Sequence, residues 1–278
     1  MTINCKGELL DLTTPIVMGI LNITPDSFYD GGVHKDEDSI IAQVTKMHAE
    51  GAAIIDIGAY SSRPGADPVS QEEELARIIP VISLVKAHFP DCIISVDTFR
   101  SAVAEASILA GAAIVNDISA GAMDKNMMSI VAKLQVPYIM MHMRGTPQTM
   151  KTLTAYENII SDINYYFSEK IEEAKRLGII DLILDPGFGF AKTTEQNFEL
   201  LQQFHLFTHF DIPVLAGISR KSMVYKTLNT DAAHALNGTT ALHMVALQQG
   251  ARILRVHDVQ AAKECIILFE QLQSARKN

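Results

Sequence analysis

The stretch CIISVDTFRSAVAEASILAGAAIVNDIS, residues 92–119, decides the fold. It opens on an apolar run at 92–98, passes into an amphipathic segment with helical spacing at 99–110, meets Gly111, and returns to a second apolar run at 113–119. Apolar runs that do not alternate with polar residues read as strands buried on both faces, as in a parallel sheet covered by helices. A glycine at the end of a helical pattern supplies a left-handed C-terminal cap. The stretch is therefore a strand–helix–strand unit.

The same unit recurs on both sides of it. Apolar runs at 15–24, 52–61, 137–142, 182–189, 213–220 and 252–258 complete the set, and helical patterns fall at 38–50, 71–89, 124–135, 155–178, 194–210, 232–249 and 259–273. Gly51, Gly178 and Gly250 stand, like Gly111, just before the next strand. No linker or compositional break interrupts the 278 residues, so the expectation is one domain, 1–278, folded as a TIM (β/α)8 barrel of eight parallel strands; a doubly wound open sheet is the lesser alternative. The first residues, Ile3 to Leu12, are expected to form a short β-hairpin that plugs the barrel bottom.

Composition narrows the function. With 48% hydrophobic and 20% charged residues the chain can bury a large core. A net charge of −9 argues against a general nucleic-acid surface, so an anionic ligand must be met by a local basic cluster. Three separated cysteines without a CxxC pair fit free thiols in a reducing compartment. The acidic start lacks a basic–apolar leader, and runs such as 78–85 are far shorter than the roughly 18 residues of a membrane span. A cytoplasmic protein is expected.

Polar residues gather where the strands end: Asn22, Asp56, Arg63, Asp97, Asn116, Asp117, His142, Asp185, Lys221, Arg255 and His257. A barrel brings these ends together at its active-site face. A carboxylate there also caps the next helix, and for Asp56 and Asp117 both readings stand open. Asp97, Asn116 and Asp185 together are costly to bury without partners, and a ring rich in N–H donors would supply them. Arg63, Arg220, Lys221, Arg255 and His257 form a basic set that suits phosphate or carboxylate, with Ser222 opening a helix beside it. His142 alone reads as a core residue rather than a metal ligand, and the remaining histidines, His243 among them, as solvated. Gly187 and Gly189 read as places where backbone passes close to a ligand.

Eight ordered motifs then become recognisable: GILNITPDSF (19–28), SSRPGA (61–66), VDTFR (96–100), NDIS (116–119), MHMRGTPQTM (141–150), LDPGFGFAK (184–192), GISRKS (217–222) and RVHDV (255–259). Nearly end to end, the chain resembles the dihydropteroate synthases, the folate-pathway transferases that sulfonamides inhibit. The resemblance implies condensation of 6-hydroxymethyl-7,8-dihydropterin pyrophosphate with p-aminobenzoate. It assigns the pterin to Asp97, Asn116, Met141, Asp185, Lys221 and Arg255, and the pyrophosphate to Arg63, Arg255 and His257. Ser62, Pro64, Phe190, Lys221 and Ser222 take the p-aminobenzoate, and Asn22 helps place Mg2+. It also implies a homodimer. Where the family commonly has GES-T-RPG this chain has GAYS-S-RPG, so Tyr60 replaces an acid and Ser62 a threonine, while Arg63 and Pro64 stay.

Three rivals share part of the pattern: a pterin-dependent methyltransferase of the same barrel family, a Schiff-base aldolase acting through Lys221, and a non-enzymatic binding barrel. The loops at 24–38 and 59–70, with Gly31, Gly32, Pro64, Gly65 and Pro68, are expected to close over the mouth, so that p-aminobenzoate or a sulfonamide binds tightly only once Mg2+-pyrophosphate is present.

Overall fold

A computed structural model describes residues 1–23, 33–60 and 69–275, with the backbone alone at 33–36. The barrel strands are β3 (Ile16–Asn22), β4 (Ile54–Gly58), β5 (Ile93–Asp97), β6 (Ile114–Asp117), β7 (Tyr138–Met141), β8 (Leu182–Asp185), β9 (Leu215–Ala216) and β10 (Ile253–Val256). They pair in parallel in the order β8-β7-β6-β5-β4-β3-β10-β9. A parallel bridge between Leu184 and Val214 joins the two ends, supported by Leu184 N–H donating to Pro213 O at 2.9 Å. The expected barrel is therefore nearly closed, and the open sheet is set aside.

Helices cover the outside: α1 (Val33–Ala49), α2 (Gln71–His88), α3 (Ser101–Ala110), α4 (Met127–Leu134), α5 (Ile159–Leu177), α6 (Thr194–Gln202), α7 (Ser222–Thr227), α8 (Leu236–Gln248) and α9 (Val259–Ala275). Gly111 and Gly178 end α3 and α5 at φ of 122° and 88°, a conformation that side chains resist. No described helix is long and apolar enough to cross a membrane.

Two elements differ from expectation. The run at 213–220 forms only the two-residue β9, because Pro213 has no N–H for the ladder and Lys221 N–H turns back to Ile218 O at 3.1 Å. The helix expected over 194–210 breaks after Gln202, and Phe204–Phe210 winds as a 3-10 helix. That tighter winding puts residues three apart on one side, and Phe204 and Phe207 are both fully buried.

The N-terminal hairpin, β1 (Thr2–Cys5) and β2 (Glu8–Asp11), pairs antiparallel as a separate two-stranded sheet. Its Ile3 and Cys5, with the following Leu12, pack on Met18, Ile54, Ile93, Ile114, Ile139, Ile183, Leu215 and Ile253, one residue from each barrel strand. Those eight side chains form an apolar floor, and the hairpin seals it from below as the sequence suggested. Leu12 is fully buried there, so Leu12→Ala should cost about 2–5 kcal/mol of stability. Urea unfolding of the variant should show a lower midpoint with an unchanged slope.

Candidate functional site

Side chains two apart on a strand share a face, so the residues two beyond the floor also point into the barrel. In strand order these are Ile20, Asp56, Ser95, Asn116, Met141, Asp185, Gly217 and Arg255. One pleat thus separates a floor of hydrocarbon from a layer dominated by carboxylate, amide and guanidinium. Asp97, two further along β5, lies in register with Asn116 on one side and Gly58 on the other, and Gly58 pairs with Asn22.

Arg255 organises this layer. Its Nε donates to Asp56 Oδ2 and its Nη2 to Asp97 Oδ2, both at 2.6 Å. Asn116 Nδ2 donates to the same Asp56 oxygen at 3.0 Å. Burial works against the charge on Arg255, but Asp56 and Asp97 more than offset it and hold its pKa above the usual value. Burial pushes the Asp97 carboxyl up to about 7 despite the pull of Arg255. Asp185 is also raised by burial; its Oδ1 accepts from Gly187 N–H at 2.8 Å. Asp97 and Asp185, expected to need a ligand, therefore each already accept from a protein group, while Asn116 meets Asp56 through its nitrogen.

Lys221 stands across from them. A side chain on Gly217 would lie 3.8 Å from both Asp185 Oδ2 and Lys221 Nζ, so the glycine leaves open the space these two groups share. Lys221 Nζ donates to Phe188 O and sits 4.8 Å from the centroid of the Phe190 ring. Burial lowers its pKa to about 8, with Asp185 opposing. Met141 and Phe190 share a small apolar cluster at the mouth with Phe99, Ile118 and Met143. Ser222 opens α7, which no side chain caps. His257 is exposed at the rim, where its Nδ1 and Ser219 Oγ are 3.1 Å apart. Asn22 is exposed at the end of β3. Ser62, Arg63 and Pro64, and most of both expected loops, lie outside the described residues.

Several readings change. Arg220, expected among the anion-binding residues, is committed to Asp258 through Nε and Nη2 at 2.7 and 2.8 Å and to the carbonyls of Ala232 and Ala233. It latches the ends of two units together. Asp117 serves its own turn: its oxygens accept from Ser119, Gly121 and the Tyr138 hydroxyl. Asp56, by contrast, belongs to the site. His243 is buried rather than solvated. Gly187 makes its close approach to protein: at φ +74° a Cβ there would fall 2.1 Å from His142 O.

Sequence reasoning also missed Lys192. It is buried, and its Nζ donates to Gly187 O at 2.9 Å and Phe190 O at 3.0 Å and lies 3.1 Å from His142 Nδ1. Burial pushes both Lys192 and His142 well below their ordinary values. The lysine ties the glycine-rich DPGFGF turn to the end of β7. The signal available was a lysine closing that turn, with no acid between it and Asp185.

A floor of hydrocarbon under acceptors and two half-buried cations suits a flat, donor-rich ring with an anionic arm. The comparisons agree with that geometry. Residues 18–257 match the family described as pterin binding enzyme. Dihydropteroate synthase of Escherichia coli K12 is 42% identical over 280 residues, covering 100% of this chain and 99% of its own. The Yersinia pestis dihydropteroate synthase solved as a sulfonamide drug complex superposes with a TM-score of 0.92 at 42% identity, covering 99% of this chain and 100% of its own. The Xanthomonas albilineans dihydropteroate synthase solved with 4-aminobenzoic acid gives 0.90 at 38%, covering 98% of each. The chain therefore belongs to the dihydropteroate synthase family of pterin-binding transferases.

Two outcomes follow from this geometry. Gly187→Ala should lower the melting temperature and weaken ligand binding together, because the turn cannot keep its place against His142. Above about 7 Asp97 is ionised, and below about 8 Lys221 is charged. Pterin affinity measured by calorimetry should accordingly fall as the pH drops through about 7 and again as it rises through about 8. Asp97→Asn should weaken the acid limb, to which the raised Asp185 also contributes, and leave the alkaline one.

Proposed function

We propose that the protein condenses 6-hydroxymethyl-7,8-dihydropterin pyrophosphate with p-aminobenzoate, giving 7,8-dihydropteroate and pyrophosphate. The observation that carries this is the inward layer itself: Asp97, Asn116 and Asp185 offer acceptors to a donor-rich ring, with Arg255 and Lys221 inside the same ring of strands. Membership of a family named for this reaction supports the choice over the methyltransferase, the aldolase and the simple binding barrel.

In this reading Asp97, Asn116 and Asp185 accept from the pterin, Lys221 stands beside its edge, and Met141 lies against it. Arg255 does double duty, laying its guanidinium on the ring and turning a free N–H toward the diphosphate, which Arg63 and His257 hold further out. Phe190 and Lys221 line the p-aminobenzoate site with Ser62 and Pro64, and its carboxylate rests at Ser222 where α7 begins.

Among the described residues no group of three or more His, Cys, Asp or Glu could hold a metal. A lone amide such as Asn22 nevertheless suits Mg2+, which keeps most of its waters and rides on phosphate oxygens rather than in a protein cage. Bound there, the ion would neutralise charge on the departing pyrophosphate. The residues of the chain do the rest. Arg255 and His257 stabilise the leaving oxygens, while Asp97 and Asp185 favour the positive charge that spreads over the pterin as the bond to oxygen breaks. The amine of p-aminobenzoate is neutral near pH 7; its nitrogen bonds to the methylene carbon that pyrophosphate has left, and the proton it then sheds passes to solvent without a dedicated base. We take the acting species to be a cytoplasmic homodimer of one barrel domain, 1–278, as the full-length resemblance implies.

Asp97→Asn and Asp185→Asn should each cost about 1.5–3 kcal/mol of pterin affinity, since a donor replaces an acceptor at constant shape. Arg255→Lys should be severe although it keeps the charge, because an ammonium has no flat face or fork. Calorimetry with pterin and with its pyrophosphate checks all three. Wild-type affinity for both ligands in these variants would refute the assignment.

A further inference from the structure

Asp56 is fully buried, yet only half of it is used. Oδ2 takes both hydrogen bonds, from Arg255 and Asn116, while Oδ1 has no hydrogen-bond partner among the described residues. Ser95, its register partner on β5, likewise has a buried Oγ without one. A buried acceptor left unmade is costly to stability, so a carboxylate kept in this position points to a task other than holding the barrel together.

Its chemistry says what the task is. An ionised carboxylate only accepts. Asn116 must therefore turn its nitrogen toward Asp56, which holds its acceptor oxygen on the opposite side of the amide. An asparagine left to itself reads donors and acceptors equally; this one is set as an acceptor. Asp56 fixes Arg255 in the same way, because Nε bound to Asp56 and Nη2 bound to Asp97 define the plane of the guanidinium. Resting on the pterin reading above, we infer that Asp56 is a positioning residue that sets the hydrogen-bond code of the ring pocket: it makes Asn116 an acceptor, so that the pocket selects ring edges carrying N–H groups and rejects those carrying oxo groups.

The test compares 6-hydroxymethylpterin with its 2-oxo counterpart, 6-hydroxymethyllumazine, which replaces the ring amino donor by an acceptor. Binding of both is measured by calorimetry to wild type, Asp56→Asn, Asp56→Ala and the near-isosteric Asp56→Leu. Asn keeps an acceptor oxygen that can take both bonds at once, so Asp56→Asn should retain the wild-type preference for the pterin. Ala and Leu release the Asn116 amide, and the preference should fall by up to about tenfold, the worth of one hydrogen bond between neutral groups. Ala leaves a cavity and Leu does not, so one folded variant of the two suffices. A merely structural role would lower the melting temperature and both affinities alike, leaving their ratio unchanged, and that result overturns the inference. Wild-type protein that binds neither ring would overturn the pterin reading, and this inference with it.

Discussion

One guanidinium spans two carboxylates inside the barrel, and the site depends on that bridge. Asp56 and Asp97 come from the neighbouring strands β4 and β5, and Arg255 from β10, far away in sequence but two strands from β4 around the wall. Two acids and a single arginine, with Lys221 near Asp185, leave the layer short of positive charge at its acidic side. Removing one partner of a buried ion pair typically costs about 3–5 kcal/mol, which makes Arg255 hard to replace for folding as well as for binding. A flat cation-friendly ring that brings its own N–H donors relieves the same shortage.

The bridge works only because the barrel divides its interior so sharply. Floor residues such as Met18, Ile54 and Ile253 are fully buried and sealed by the hairpin, so water does not reach the polar layer from below. The low dielectric that results is what raises Asp97 and lowers Lys221 toward neutrality, where small changes in surroundings alter their charge. At the mouth, the 186–192 turn is held rigid by Gly187 against β7 and by Lys192 beneath its carbonyls. Rigid support beneath a polar layer is the requirement for placing acceptors to within a fraction of an ångström.

Much of this was legible in the residues. Non-alternating apolar runs and closing glycines specify the barrel, since both patterns are local. Strand-end acids and bases specify which end carries the chemistry. What sequence could not show was pairing. Asp56 and Asp117 look alike as acids near strand ends, yet one meets Arg255 from β10 and the other meets Tyr138 on the next strand. Arg220 and Arg255 look alike as strand-end bases, yet Asp258 claims only the first. Gly187 reads from sequence as a close approach of backbone to a ligand, because nothing in DPGFGF announces how near His142 lies. These contacts join segments remote in sequence, where spacing carries no information; Lys192 is the exception, since two of its acceptors, Gly187 O and Phe190 O, lie within its own turn.

Pyrophosphate release measures the condensation directly. Purified protein supplied with 6-hydroxymethyl-7,8-dihydropterin pyrophosphate, p-aminobenzoate and Mg2+ should release one pyrophosphate for each dihydropteroate formed, with both products absent when p-aminobenzoate is left out. No release, or release that continues unchanged without p-aminobenzoate, would contradict the account.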